Sequence, residues 1–162
     1  MAEYWYFQPG MEEKARAFFA ETPKPEIMQN FEIRERDFVS AGVASAQIKY
    51  ALKRLGVPSE ILRRTAIAAY EAEINVTAHS KGGSVTSNIY SDCVYLIFKD
   101  CGPGMEDIEQ SMTPGYSTAD EMVREMGFGA GLGLPNIKKN SDVLHIVSER
   151  GKNTVLEIII YY

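Results

Sequence analysis

Apolar positions recur every three to four residues over 41–55 and again over 59–79, two runs parted by "GVPSE". That spacing predicts two amphipathic helices. Gly56 suits the stop of the first, and Ser59 stands where it can cap the second. The period then changes. "GSVTSNIY" and "CVYLIFKD" are β-rich runs joined at Ser91-Asp92, which predicts a hairpin. "VLHIVSE" and "TVLEIIIYY" predict a closing pair of strands, preceded by a helix over 132–140. Upstream, "FEIRERDF" at 31–38 alternates apolar and charged residues like a half-buried strand. Residues 113–126 are polar and carry no clear period.

This order of elements predicts an α+β fold, a two-layer sandwich with helices on one face of a mixed, mostly antiparallel sheet. The first 28 residues stand apart as an N-terminal appendage to a domain over 29–162. "MEEKARAFFAET" suits a short amphipathic helix, interrupted by "PKP" at 23–25. The aromatic start, Tyr4, Trp5, Tyr6 and Phe7, must pack on its own domain or on a partner.

Composition narrows the function. A chain of 162 residues suits one domain with a sizeable core. The net charge of −5 argues against nucleic acid and anionic membrane as partners, since both select basic patches. No apolar run approaches a membrane span and the N-terminus lacks a signal pattern, so the expected location is the cytoplasm. Cys93 and Cys101 are too few for a disulfide framework, and His79 and His145 fit no zinc pattern.

Chemistry concentrates in three places. "EMGFGAGLGL", 125–134, sets glycines at every second position ahead of the predicted helix. It is neither a dinucleotide fingerprint, which needs a preceding strand, nor a P-loop, which needs Gly-Lys-Ser/Thr. What remains is bare backbone N–H at a helix start, where phosphate can approach; a hinge would need the same glycines. "FKDCGPGM" puts Asp100 at the end of an apolar strand with Gly102 and Gly104 after it. That carboxylate either starts a turn or accepts a hydrogen bond from an exocyclic amine such as adenine's. In "YEAEINVTAHS", Glu71, Asn75 and His79 share one helical face among small apolar residues. Polar groups in that setting need partners. Glu73 and Thr77 point elsewhere, to solvent or to a structural role.

Together, E-x-x-x-N on a helix, D-x-G-x-G, a lid and G-x-G-x-G-L resemble the Bergerat-fold GHKL ATPases, from about residue 31 to the end. "GKNTV" at 151–155 is similar to that family's G-x-x-T. The forms "YEAEINVTAHS" and "TPGYSTA" look most like the anti-sigma-factor and switch serine/threonine kinase branch. The resemblance implies ATP and Mg²⁺ as cofactors, with Glu71 as general base and Asn75 as the metal ligand. It implies Asp100 on the adenine amino group, assisted by Thr154, with Gly102 and Gly104 shaping the base pocket. Ser117 and Thr118 in a lid over about 105–130 would lie near the phosphates with Gly129, Gly131, Leu132 and Gly133. A lid arginine reaches the γ-phosphate in the sporulation anti-sigma kinases; here the nearest, Arg124, stands at a different offset from the glycines.

The function implied is a serine/threonine protein kinase acting as an anti-sigma factor or partner-switching regulator. Its substrate would be a STAS-type antagonist or stressosome protein, with a sigma factor as a further partner and homodimerisation left open. A non-catalytic, ATP-dependent partner-binding module is the alternative. A detached histidine-kinase catalytic domain ranks last, because that branch usually has Asn where Glu71 stands.

Overall fold

A computed structural model of the chain describes residues 2–113 and 133–162. The described strands are β1 (Ala2–Phe7), β2 (Ile27–Ile33), β3 (Gly83–Ile89), β4 (Cys93–Asp100), β5 (Val143–Ser148) and β6 (Val155–Tyr161). They form one sheet in the order β1-β5-β6-β4-β3-β2, and every pairing is antiparallel. The helices are α1 (Glu12–Glu21), α2 (Val43–Arg54), α3 (Ser59–His79), α4 (Ile108–Ser111) and α5 (Gly133–Asn140). Among the described residues no helix is long and apolar enough to cross a membrane.

Strand alternation divides the side chains between two faces. Val94, Leu96 and Phe98 of β4 and Leu156, Ile158 and Ile160 of β6 face the main core. There they meet Ile48 and Leu52 of α2, Ala68, Ala69, Ala72 and Val76 of α3, and Ile137 of α5. This is the expected two-layer arrangement. The alanines of α3 let the helix lie close to the sheet.

Cys93, Val143, Ile159 and Tyr161 point to the opposite face and pack with Ala15 of α1. The aromatic start therefore docks on its own sheet. Trp5 stacks on His145 at 3.7 Å between ring centroids and on Phe7 at 5.4 Å. Phe18 and Phe19 of α1 set their edges against Tyr95 at 5.3 and 5.6 Å.

Two local expectations shift. The strand read at 31–38 lies instead at Ile27–Ile33, because its partner β3 begins at Gly83, opposite Ile33. Beyond Ile33 the charged residues form a turn in which Arg36 adopts φ 58° and donates its N–H to the Thr77 carbonyl at 2.9 Å. Ser59 is the first residue of α3 and does not cap it. Pro58 holds the cap position, and its carbonyl accepts the Leu62 N–H at 3.0 Å.

Glu73 supplies the main polar contact between helices. Its carboxylate is buried and accepts the backbone N–H of Gly42 at 2.9 Å, Ala44 at 3.4 Å and Ser45 at 2.9 Å. It thus caps α2 from α3, satisfying donors that no side chain within α2 serves. Glu73→Ala should cost about 3 kcal/mol, since buried donors lose a charged acceptor. Urea unfolding at neutral pH measures this; a loss below about 1 kcal/mol would mean that water replaces the carboxylate.

The N-terminal strand is tied by a second polar group. His145 Nδ1 lies 2.6 Å from Glu157 and Nε2 lies 3.0 Å from Glu3, while the Tyr95 hydroxyl donates to Glu157. Burial opposes the imidazolium, but its hydrogen bonds to the Glu157 and Glu3 carboxylates outweigh that and raise the His145 pKa. Its stabilisation is therefore complete below the unfolded value, about 6.5, and is lost as pH rises through the folded value. His145→Gln should flatten the fall in melting temperature on the alkaline side of neutrality. An unchanged slope would assign that fall to other groups.

Candidate functional site

Glu71 and Asn75 lie one turn apart on α3, each half-buried. They face the described start of α5, where Gly133 packs against them. A Cβ at Gly133 would stand 3.2 Å from Asn75 Oδ1 and 3.3 Å from Glu71 Oε2, so the bare glycine allows this approach. Burial raises the Glu71 pKa, and a hydrogen bond from the Asn136 side chain works against that rise. Among the described residues the Asn75 amide has no hydrogen-bond partner. The pair thus sets a carboxylate beside an amide oxygen.

The second cluster forms where β4 ends. Asp100 Oδ1 accepts the backbone N–H of Gly102 at 2.9 Å and of Thr154 at 3.1 Å. The Asp100 N–H returns to the Thr154 carbonyl at 3.0 Å. Oδ2 takes no donor among the described residues. Burial raises the Asp100 pKa, and the N–H groups of Thr154 and Gly102 oppose the rise. The Thr154 hydroxyl is buried and paired with Ser148 Oγ at 2.7 Å.

Gly102 joins this cluster to α3, since a Cβ there would stand 2.9 Å from Ser80 Cβ, just past the helix end. Gly104 packs against the β5–β6 turn. With φ 74° and the Glu149 carbonyl 1.8 Å from where its Cβ would be, only glycine fits. From Glu71 to Ser80 the rise along α3 is roughly 13 Å, so the two clusters stand apart along the helix.

The structure thus brings Glu71, Asn75 and Gly133 together, and separately Asp100, Gly102 and Thr154. Ser117, Thr118, Arg124, Gly129, Gly131 and Leu132, and most of the expected lid, lie outside the described residues. Two residues at the site escaped the motif reading. Asn136 reaches Glu71, and Ser80 closes on Gly102 while its hydroxyl donates to the Val76 carbonyl at 2.6 Å. The available signal for Asn136 was its spacing of three from Gly133 on one short helix.

No family model matches the chain. It is 28% identical over 122 residues to the serine/threonine-protein kinase RsbT of Bacillus subtilis (strain 168), which covers 72% of this chain and 86% of that protein. The resemblance to the GHKL switch kinases stands. The fold is also similar to that of a chain in the crystal structure of the SiaB-SiaC complex from Pseudomonas aeruginosa. That match has a TM-score of 0.51 at 13% identity, covering 93% of this chain and 98% of the other.

The raised Glu71 pKa has a consequence for stability. A carboxyl raised on folding costs nothing below its unfolded pKa and opposes folding fully above its folded one. Glu71→Gln should therefore melt higher than the parent at neutral pH, with the gap closing below about pH 4. Scanning calorimetry across pH reads the gap; a lower melting point at neutral pH would make Glu71 a stabilising contact.

Proposed function

We propose that this chain is an ATP-dependent serine/threonine protein kinase that works by partner switching and phosphorylates a STAS-type antagonist protein. The observation that carries the reading is Glu71 and Asn75 held together against the bare backbone of Gly133. The likeness to a serine/threonine-protein kinase over most of both chains supports the reaction class. A neighbour in fold taken from a two-protein complex agrees with a protein partner. The kinase domain would span 29–162, acting in the cytoplasm, with residues 1–28 as an addition that supplies edge strand β1 and packs α1 on the far face of the sheet.

In this reading the adenine end lies at Asp100. Oδ1 is held by two backbone N–H groups, so Oδ2 is oriented and free to accept the exocyclic amine. Gly102 keeps the approach open, and Thr154 fixes the carboxylate through its N–H. The phosphate end lies at α5, where Gly133 would offer its N–H group; Gly129, Gly131, Leu132, Ser117 and Thr118, expected near the phosphates, lie outside the described residues.

Asn75 suits Mg²⁺, a hard cation that takes amide oxygen and keeps phosphate and water as its other ligands. When bound, the ion neutralises charge on the phosphates. Glu71 supplies the base. It orients the partner's serine or threonine hydroxyl and takes its proton as oxygen attacks the γ-phosphorus. The bond to the β–γ bridging oxygen breaks, and ADP carries that charge away. A carboxylate whose pKa is raised by burial holds the proton better than a solvated one.

Three substitutions separate the roles. Asp100→Asn should weaken ATP by about tenfold to a hundredfold in calorimetry. Glu71→Gln should keep ATP affinity within a few-fold while transfer falls by roughly 10²–10⁴. Asn75→Ala should lower Mg·ATP affinity and transfer together. ATP-dependent partner capture without transfer, unaltered by Glu71→Gln, would make the chain a binding module instead.

A further inference from the structure

We propose that β2 is an interface between two copies of this chain, which pair antiparallel through it about a two-fold axis at Asn30. β2 stands at one end of the described sheet, with β1 at the other. In an antiparallel ladder each residue turns its N–H and C=O to the same neighbour, and successive residues turn to opposite sides. The Tyr90 N–H donates to the Cys93 carbonyl at 2.8 Å, and the Cys101 N–H to the Gly82 carbonyl at 2.9 Å. Even-numbered residues of β3 therefore turn to β4 and odd-numbered ones to β2. Those odd residues stand opposite Ile27, Gln29, Phe31 and Ile33. Met28, Asn30 and Glu32 are left with N–H and C=O turned outward, and no described residue meets them. Such an edge is a template for another strand.

Charge favours a second copy of this chain and fixes its register. Outward groups must meet outward groups, so the axis can stand at Gln29, Asn30 or Phe31. At Asn30 it sets Glu26 opposite Arg34, once on each side. At Gln29 it would oppose Glu26 and Glu32 instead. At Phe31 it would oppose Glu26 and Arg36, which has left the ladder for a turn at φ 58°. β1, at the other edge, has Glu3 as its one charged residue, and that carboxylate is bound to His145 at 3.0 Å.

The same register suits the helix side of the strand. It sets Ile27 opposite Ile33, and Gln29 opposite Phe31. Phe31, Ile33 and Val43 line a groove between β2 and α2, which Ile27 of the second copy enters. The Gln29 amide oxygen is buried and has no donor among the described residues. Diagonally across the axis it meets the amide of the second copy's Gln29. Apolar surface beside the edge adds the burial that backbone pairing lacks, since Met28 is 57% exposed and Val43 55%.

Sedimentation velocity of the full chain, from about 1 to 100 μM and without nucleotide, reads the assembly independently of phosphoryl transfer. The expected result is a dimer that dissociates on dilution. Asn30→Pro removes an outward N–H at the axis and spares the ladder to β3, so it should weaken the dimer by roughly a hundredfold. Arg34→Glu and Glu26→Arg should each weaken it by about tenfold, and the two together should restore the parent value. If circular dichroism shows Asn30→Pro unfolded, the charge reversals decide. A parent that stays monomeric throughout would overturn the proposal. So would a dimer that a folded Asn30→Pro leaves intact, or a double reversal no tighter than either single one.

Discussion

The site depends on how α3 is rotated about its axis, and Glu73 sets that rotation. Successive residues on a helix are about 100° apart, so Glu73 projects roughly opposite to Glu71 and Asn75. Its carboxylate is anchored to the first backbone N–H groups of α2. Turning α3 would pull that buried charge from its donors at a cost of several kcal/mol. With Glu73 held, Glu71 and Asn75 are carried to the α5 side. A second anchor acts nearer the N-terminal end. Arg64 pairs with the buried Asp142 at 2.9 Å, and Asp142 also accepts the Tyr161 N–H at 2.8 Å. One long helix is thereby fixed to α2 and to the sheet, and its remaining flank is left for chemistry.

The sheet supports the site from beneath in a similar way. Asp100 ends β4 in the ladder where Lys99 faces Val155, and Thr154 precedes β6 directly. The two backbones exchange hydrogen bonds through the carboxylate and through the main chain, so the acceptor oxygen is placed by strand pairing rather than by a loop. The far face of the sheet is closed by β1 and α1 through aromatic stacking and the Glu3–His145–Glu157 group. Glu71 and Asn75 lie at the α3–α5 contact, and Asp100 lies apart from them where β4 ends beside Ser80.

Periodicity made much of this legible. The 59–79 helix and the 83–100 hairpin are found where the pattern puts them, because each combines a sustained period with a clear break. Glu71, Asn75 and Asp100 stood out because polar groups interrupt otherwise apolar elements. Other features are tertiary and leave no local mark. "FEIRERDF" alternates as a strand does, yet where a ladder ends is decided by the partner strand, here at Gly83. Glu73 reads as solvent-facing or structural, and its partners are visible only once α2 is folded beside it. Asn136 comes near Glu71 only once α5 lies against α3. The aromatic start gave no choice between its own domain and a partner, because stacking surfaces are alike in either case.

Phosphoryl transfer to a protein hydroxyl is the step on which the proposed function rests. The most direct measurement is intact-mass spectrometry of a STAS-type antagonist incubated with this chain and Mg·ATP, followed by mapping of the modified residue. The expected result is one added phosphate on a serine or threonine of the antagonist, with ADP released in equal amount. An antagonist that is retained by the chain in the presence of ATP yet keeps its unmodified mass would contradict it.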